Sequence, residues 1–331
     1  MRSQVTKHHI QQIDYIRAFA SLAVALFHMG GKTLPILNYG WLGVDMFFLL
    51  SGFIICWSIP SNYNLKKAGK FITKRILRIE PPYIISIVLA IVSHYIFTKN
   101  YIPDWTNVLF HLAYINTFLN YPTLNPVYWT LAIEFQFYIF IALFFPILIK
   151  KWSPVLLVIL CVATIWITPS VTTLITVFPL FAIGIIYFLY KKQHLQLKEA
   201  LIYGAVITGV SFFKVGLAQT VAAVVALIIL TLPLKSNRIV SFFSKISFSL
   251  YLTHDIIGSS LVVYLGTKLP KTVFFKGIEF LTGIVVSIVF AYLFYKLIEE
   301  PSLRFSKRIS YSPPSNSSVS AMAPASLPVQ N

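Results

Sequence analysis

Long apolar segments constrain this chain more than any other feature of its sequence. Ten of them can be drawn along the 331 residues, each about as long as a hydrocarbon core of roughly 30 Å requires. A backbone inside lipid must satisfy its own hydrogen bonds, so we predict an all-α fold, a polytopic membrane bundle of about ten transmembrane helices. The segments are 13–31, 40–59, 81–97, 127–149, 153–168, 171–190, 199–213, 215–234, 246–266 and 273–298.

The charge balance supports this topology. The chain carries 27 Lys and Arg residues against 10 Asp and Glu, an excess that in a soluble protein would suggest a nucleic-acid partner. If the N-terminus is cytoplasmic, twenty of these basic residues fall on the cytoplasmic side and six on the other, while Arg17 lies inside the first span. Cytoplasmic loops of membrane proteins are enriched in Lys and Arg, so the excess indicates topology and no nucleic-acid partner. The same count places both termini in the cytoplasm.

Two stretches stand outside the scheme. Residues 108–119 are apolar but only about a dozen residues long, which is typical of a re-entrant or interfacial segment. A full span there would reverse the side of every later loop and contradict the charge bias. The stretch 310–331 is rich in Ser, Pro and Ala without hydrophobic periodicity, so we predict a disordered cytoplasmic tail after a transmembrane domain over 1–309.

Charged residues within the spans indicate a functional site, because each costs roughly 2.5–3.5 kcal/mol near the bilayer centre. Arg17 and His28 are eleven residues apart, almost three helical turns, so they share one face about 16 Å apart. Asp45 and Glu134 are expected at a depth similar to that of His28. A histidine beside carboxylates can be held in one tautomer, as a general base requires. The alternative is that Arg17 and His28 form a buried polar pair that only stabilises helix contacts.

Two further groups of residues each have a functional and a structural interpretation. Arg75 and Arg78 are neighbours on one helical face, and such a fork suits phosphate oxygens; the alternative is that they anchor the chain on anionic lipid. His254 and Asp255 are adjacent and point about 100° apart on an α-helix, so only one of them is expected to face a cavity squarely. His254 has the alternative of a satisfied interhelical hydrogen bond. His94 and His111 are expected near the outer interface without a role.

The order of six motifs resembles the membrane-bound acyltransferase 3 family, whose members transfer acetyl or other acyl groups to sugars of bacterial surface polysaccharides. The resemblance covers residues 13 to 304. Its motifs are the Arg-x10-His pair of Arg17 and His28 within 13–28, and the segments 43–53, 75–83, 128–138, 247–254 and 300–304.

The resemblance implies ten helices in the bacterial cell (inner) membrane, an acyl-CoA donor, with acetyl-CoA as the expected one, and a saccharide acceptor. It implies functional roles for Arg17, His28, Arg75 and Arg78, and no bound cofactor or metal. We expect His28 to act as general base, oriented by Asp45 or Glu134, or to form an acyl-histidine. The residues expected to contact donor or acceptor, all within the motifs, are Arg75, Arg78, Ser51, Tyr83, Trp129, Tyr138 and His254.

The sequence departs from the family pattern at Lys74, which replaces the first residue of a frequent Arg-Arg pair. No esterase-like domain follows the spans, so we expect the membrane domain to finish the reaction or to pass the acyl group to a separate protein. Two other functions stay open. A polysaccharide exporter or flippase also carries buried charges, and a non-catalytic partner of a synthesis complex would use them only to hold helices together.

Overall fold

The computed structural model describes residues 10–97 and 101–311, and its regular elements are all helices within these ranges. The predicted all-α fold is therefore confirmed. The α-helices are α1 Gln11–His28, α2 Gly43–Trp57, α3 Ala68–Phe97, α4 Trp105–Leu112, α5 Tyr128–Leu148, α6 Ser153–Trp166, α7 Leu174–Lys191, α8 Leu197–Val215, α9 Leu217–Thr231, α10 Arg238–Thr253, α11 Ser260–Lys268, α12 Val273–Phe294 and α13 Glu300–Arg308.

Each predicted span coincides with one of these helices or with a continuous pair of them. Within the described residues, six helical stretches are long and apolar enough to cross a membrane. Two shorter apolar helices, α6 and α9, accompany them. The six stretches are Leu37–Trp57, Leu65–Phe97, Tyr128–Leu148, Leu174–Lys191, Arg238–Lys268 and Val273–Arg308. The count of ten and the side of each terminus stay predictions, and residues 312–331 of the expected tail lie outside the described residues.

Three helical stretches are longer than the predicted spans: Leu65–Phe97, Arg238–Lys268 and Val273–Arg308. α3 begins at Ala68 and contains both Pro81 and Pro82, whereas the predicted span begins at residue 81. The charged residues before Pro81 end the apolar segment, but Lys, Arg and Leu are good helix formers and continue the helix. The span at 246–266 is interrupted by a π-helical turn, His254–Ser259, and a second one, Tyr295–Glu299, follows α12.

The apolar stretch 108–119 forms only a short helix followed by turns. α4 has eight residues, about 12 Å of helix, which is too short to cross a bilayer. His111 is fully buried, and its Nδ1–H donates to the Asn107 carbonyl at 2.9 Å while its Nε2 accepts from the Leu124 N–H at 3.1 Å. Burial lowers the pKa of His111, so the ring stays neutral and ties the loop together.

The tightest packing joins α2 to α7. A Cβ added at Gly52 would lie 2.1 Å from the Phe181 carbonyl oxygen, and one at Gly184 would lie 2.1 Å from that of Leu49. The two backbones therefore touch, as is typical of small residues at membrane helix interfaces. α7 is buried from Val177 to Leu189 and forms the centre of the bundle.

Glycines also bring the start of α2 against α1. Added Cβ atoms at Gly40 and Gly43 would lie 2.2 and 2.5 Å from the carbonyl oxygens of Ala23 and Ala20. α1 also packs along α10, so the α1 side chains that face α2 and α10 lie in the interior. On the outside of the bundle, α12 exposes Leu281, Val285 and Val289, which fits a surface in contact with lipid.

Candidate active site

One cavity between the helices is lined by three arginines, and we call it the arginine cavity. It has a volume of about 130 Å³. α1, α2, α3, α5 and α10 all contribute to its wall, and its aromatic and aliphatic lining includes Phe47, Phe48, Leu131 and Phe248. Its polar lining consists of Arg17, Ser51, Arg75, Arg78, Thr130, Glu134, Tyr138, Ser247 and Tyr251.

Arg75 is held among aromatic rings although it carries a charge. Its guanidinium hydrogen-bonds to the Ser58 hydroxyl and lies 5.2 Å from the Phe71 ring centroid and 5.7 Å from that of Tyr138. Its Nε is buried and has no hydrogen-bond partner among the described residues. Arg78 lies one turn further along α3 and lines the same cavity. A buried guanidinium with an unused donor is suited to an anionic ligand.

Carboxylates partly balance these three positive charges. The Ser51 hydroxyl donates to Glu134 at 2.9 Å, and the Arg17 Nε donates to the Ser247 hydroxyl at 3.0 Å. Glu299 is a further acidic neighbour that sequence reasoning missed: Ser249 donates to it at 2.6 Å, and it attracts Arg17 and Arg78 electrostatically. It lies at the end of the second π-helical turn, and an apolar pattern gives no signal for such a turn.

The second cavity contains His28, and we call it the histidine cavity. It has a volume of about 400 Å³, within the range of small-molecule sites. Two indole rings, Trp41 and Trp129, form part of its wall, and Asp45 lies on the α2 side. Its other lining residues are Val24, Val44, Pro126, Val127, Thr172, Thr176, Val177, Lys214, Val215, Gln219 and Tyr251.

The carboxylate in contact with His28 is Asp255. The His28 Nδ1 lies 3.5 Å from the Asp255 Oδ1, and the His28 ring centroid is 5.3 Å from that of His254. Sequence reasoning expected only one of the adjacent residues His254 and Asp255 to face the site. Both reach His28 because they begin the π-helical turn, whose extra residue changes the angle between successive side chains.

His254 is fully buried beside this pair. Its Nδ1–H donates to the Leu250 carbonyl at 2.9 Å, one turn earlier in the same helical stretch, whereas the structural interpretation of the sequence expected a bond between helices. Its Nε2 has no hydrogen-bond partner within the part of the chain that the structure describes.

The structure does not bring all the residues predicted from the sequence to one point. His28, Asp45 and Trp129 line the histidine cavity, whereas Glu134 lines the arginine cavity with Ser51 and Tyr138. The expected convergence of three ionisable groups therefore holds for His28 and Asp45 but not for Glu134. Glu134 lies more than one turn beyond Trp129 along α5, so the two side chains reach different cavities.

Tyr83 lines neither of these two cavities. Its hydroxyl donates to the His111 carbonyl at 3.1 Å, and its ring stacks on that of Tyr114 at 5.1 Å. It therefore supports the loop that contains α4. No group of three or more His, Cys, Asp or Glu side chains in the described ranges is placed to hold a metal ion.

Comparison with known proteins identifies a family for this chain. The sequence profile of the acyltransferase 3 family, described as an acyltransferase domain, matches residues 10–296. ORF330 of Acidianus two-tailed virus, provisionally named an acetyltransferase, is 31% identical over 43% of this chain and 44% of its own length. The O-acetyltransferase OatA of Staphylococcus aureus is 26% identical over 46% of this chain and 28% of its own. The peptidoglycan O-acetyltransferase OatA of Listeria monocytogenes is 28% identical over 45% and 26%.

The chain thus spans less than half the length of each of these relatives. No solved structure matches it.

Proposed function

The chain belongs to the acyltransferase 3 family, and from this premise we propose that it is a membrane O-acyltransferase that moves an acetyl or other short acyl group from acyl-CoA to a saccharide hydroxyl. The observation that carries the proposal is the position of the two cavities. A basic cavity suited to an anionic donor adjoins a larger cavity that contains a histidine paired with a carboxylate.

The proposed topology follows from the charge bias. The transmembrane domain comprises residues 1–309, with ten spans in a bacterial inner membrane and both termini in the cytoplasm. The Arg17 end of α1 then faces the cytoplasm, where acyl-CoA is available, and the His28 end lies toward the opposite leaflet. The lipid bilayer, the donor and the saccharide are the partners of this domain.

Arg75 and Arg78 bind the phosphates of coenzyme A in this proposal. Guanidinium groups form charge-assisted hydrogen bonds with phosphate oxygens. The buried Nε of Arg75 is an available donor for such a bond. The pantetheine arm extends from there along Arg17 and Ser51, which line the same cavity, toward the histidine cavity.

His28 is the general base for the attack. The Asp255 carboxylate, 3.5 Å from Nδ1, favours the tautomer that carries its proton on Nδ1, so that Nε2 takes the proton from the sugar hydroxyl. The hydroxyl oxygen attacks the thioester carbonyl carbon, the C–S bond breaks, and the thiolate leaves and takes the proton from His28. An acyl-histidine route would use Nε2 as the nucleophile instead, and incubation with donor alone separates the two because only this route leaves a labelled protein.

The acceptor saccharide lies in the histidine cavity. The cavity is large enough for a sugar unit, and Trp41 and Trp129 provide flat apolar faces against which a sugar ring can stack. Asp45, Thr172 and Gln219 line the same space and offer hydrogen-bond partners for hydroxyl groups.

Substitution of His28 tests the assignment. We expect His28→Ala to abolish acyl transfer to glycan, measured by the mass of the product, without changing the amount of protein in the membrane. His94→Ala is the matched control, since His94 is an exposed histidine on α3 that stacks on Tyr101 and lines neither cavity. Transfer by His28→Ala at the rate of the control would reject the proposal.

The two other functions give different results in the same system. A transporter would show no donor-dependent release of thiol by the purified protein, whereas the proposed enzyme releases one thiol for each ester formed. A non-catalytic partner would tolerate the double substitution of Arg17 and His28 with glycan modification intact.

A further inference from the structure

The arginine and histidine cavities share two wall residues. Val44 on α2 and Tyr251 on α10 line both cavities. Their neighbours divide between the two: Phe47 and Thr130 line only the arginine cavity, and Asp45 and Trp129 only the histidine cavity. A partition therefore crosses the bundle at the level of Val44, Phe47 and Tyr251, and we call these three residues the partition.

Contacts across the bundle hold the partition in place. The Phe47 ring packs edge-on against that of Tyr251, with centroids 5.9 Å apart. The hydroxyl groups of Tyr251 and Thr130 hydrogen-bond at 2.7 Å, so α10 is connected to α5 at this level. Tyr251 is buried. Because protein interiors are close-packed, a ring held on two sides resists displacement by a bulky group.

The proposed reaction requires the acyl group of the donor to reach the partition or pass it. The coenzyme A phosphates bind at Arg75 and Arg78, but the base lies in the other cavity. Arg17 and His28, which mark the two cavities on α1, are about 16 Å apart along the helix axis. The thioester carbonyl can reach His28 only at or beyond the partition, so the acyl group enters the histidine cavity first and the rest of the donor stays behind.

We infer that Val44, Phe47 and Tyr251 determine the acyl-chain length of the donor, and that the unmodified partition admits a two-carbon acyl group in preference to longer ones. This inference rests on the proposed function. An acetyl group presents one methyl to the partition, whereas a butyryl group must insert two further methylenes between Phe47 and Tyr251. A methylene in a tightly fitted apolar pocket changes specificity by about 10- to 200-fold.

The test compares acetyl-CoA with butyryl-CoA as donors for the purified full chain, with transfer to a saccharide acceptor measured as kcat/KM. We expect the wild-type protein to prefer acetyl-CoA by at least about 10-fold. Phe47→Leu removes the ring that faces Tyr251, and Val44→Ala removes two methyl groups from the shared wall. Either variant should raise the butyryl-to-acetyl ratio by about 10-fold or more.

Phe144→Leu is the matched control, because Phe144 is 42% exposed on α5 and lines neither cavity. Its ratio should equal that of the wild type. The thermal midpoint of each variant shows whether it is folded. If Phe47→Leu does not fold, the ratio measured for Val44→Ala decides the test.

The results separate this inference from the proposed function. A wild-type protein that cleaves and transfers neither thioester would overturn the proposed function itself. A wild-type protein that transfers acetyl groups, with a butyryl-to-acetyl ratio unchanged in both partition variants, would overturn only the role of the partition.

Discussion

Asp255→Asn is the substitution that tests the proposed mechanism most directly. The change keeps the size of the side chain and removes the negative charge 3.5 Å from the His28 Nδ1. His28 becomes positively charged when it takes the proton from the acceptor hydroxyl, so the charge of Asp255 stabilises the transition state more than the ground state.

The structure sets the magnitude of the effect. Two unit charges 3.5 Å apart attract each other by about 5 kcal/mol at an effective dielectric constant of about 20. The two side chains are 17% and 24% exposed, and solvent screening at that exposure reduces the attraction to about 3–4 kcal/mol. Each 1.36 kcal/mol is tenfold in rate, so we expect kcat to fall by about 10²- to 10³-fold.

The assay is acyl transfer by purified protein at saturating acceptor and varied acyl-CoA. The KM for acyl-CoA should stay within about threefold, because Asp255 does not line the arginine cavity. Asp45→Asn is the matched variant, since Asp45 is a carboxylate in the histidine cavity for which the sequence predicts the same role. If Asp45→Asn lowered kcat by 10²-fold and Asp255→Asn left it unchanged, the assignment of Asp255 would be wrong.

Two predictions concern stability. In Gly184→Val even the Cβ would lie 2.1 Å from the Leu49 carbonyl oxygen, so the substitution should destabilise the protein by about 3 kcal/mol or more. The measurement is the thermal midpoint in detergent, which should fall. Gly204→Val is the control, because no atom lies within 4 Å of its added Cβ and its midpoint should not fall. Burial lowers the pKa of His111 in the folded protein. The contribution of the neutral ring to folding stability is therefore complete above the unfolded-state pKa of about 6.5, and it is lost as the pH falls through the lower folded-state pKa. Between pH 7 and pH 5.5 the wild-type midpoint should therefore fall more than that of His111→Gln, and equal falls would contradict this.

The sequence was sufficient to predict the helical fold and four charged or titratable residues that line the two cavities. The spans follow from apolar length, and Arg17 and His28 follow from the cost of charge in lipid combined with their helical spacing. Arg75 and Arg78 are predicted as a pair because they are neighbours on one helical face, and both line the arginine cavity. Their catalytic and binding roles stay predictions.

The acidic partners could not be predicted in the same way. An α-helical wheel directs either His254 or Asp255 to the site, and a π-helical turn brings both to His28. Glu299 reaches Ser249 from a second turn of this kind, beyond the last apolar residues of its span. Such turns depend on how neighbouring helices fit together, so a single helix pattern contains no signal for them.

The partition could not be predicted either, because it depends on residues from two helices, α2 and α10, that are far apart in the sequence. Val44, Phe47 and Tyr251 look like ordinary apolar or aromatic residues in the sequence. Their position between two cavities is set by the packing of α1, α2, α5 and α10.

The close backbone contacts at Gly52 and Gly184 have a mechanical consequence for the bundle. Two helices whose main chains touch move as one unit, because any sliding would press carbonyl oxygens against the opposite backbone. Val44 and Phe47 lie on α2 and therefore move with this unit of two helices. A donor that passes between the two cavities therefore strains the α10 side, where the Tyr251 hydroxyl is tied to α5 through Thr130 at 2.7 Å and to the Val127 carbonyl at 3.5 Å.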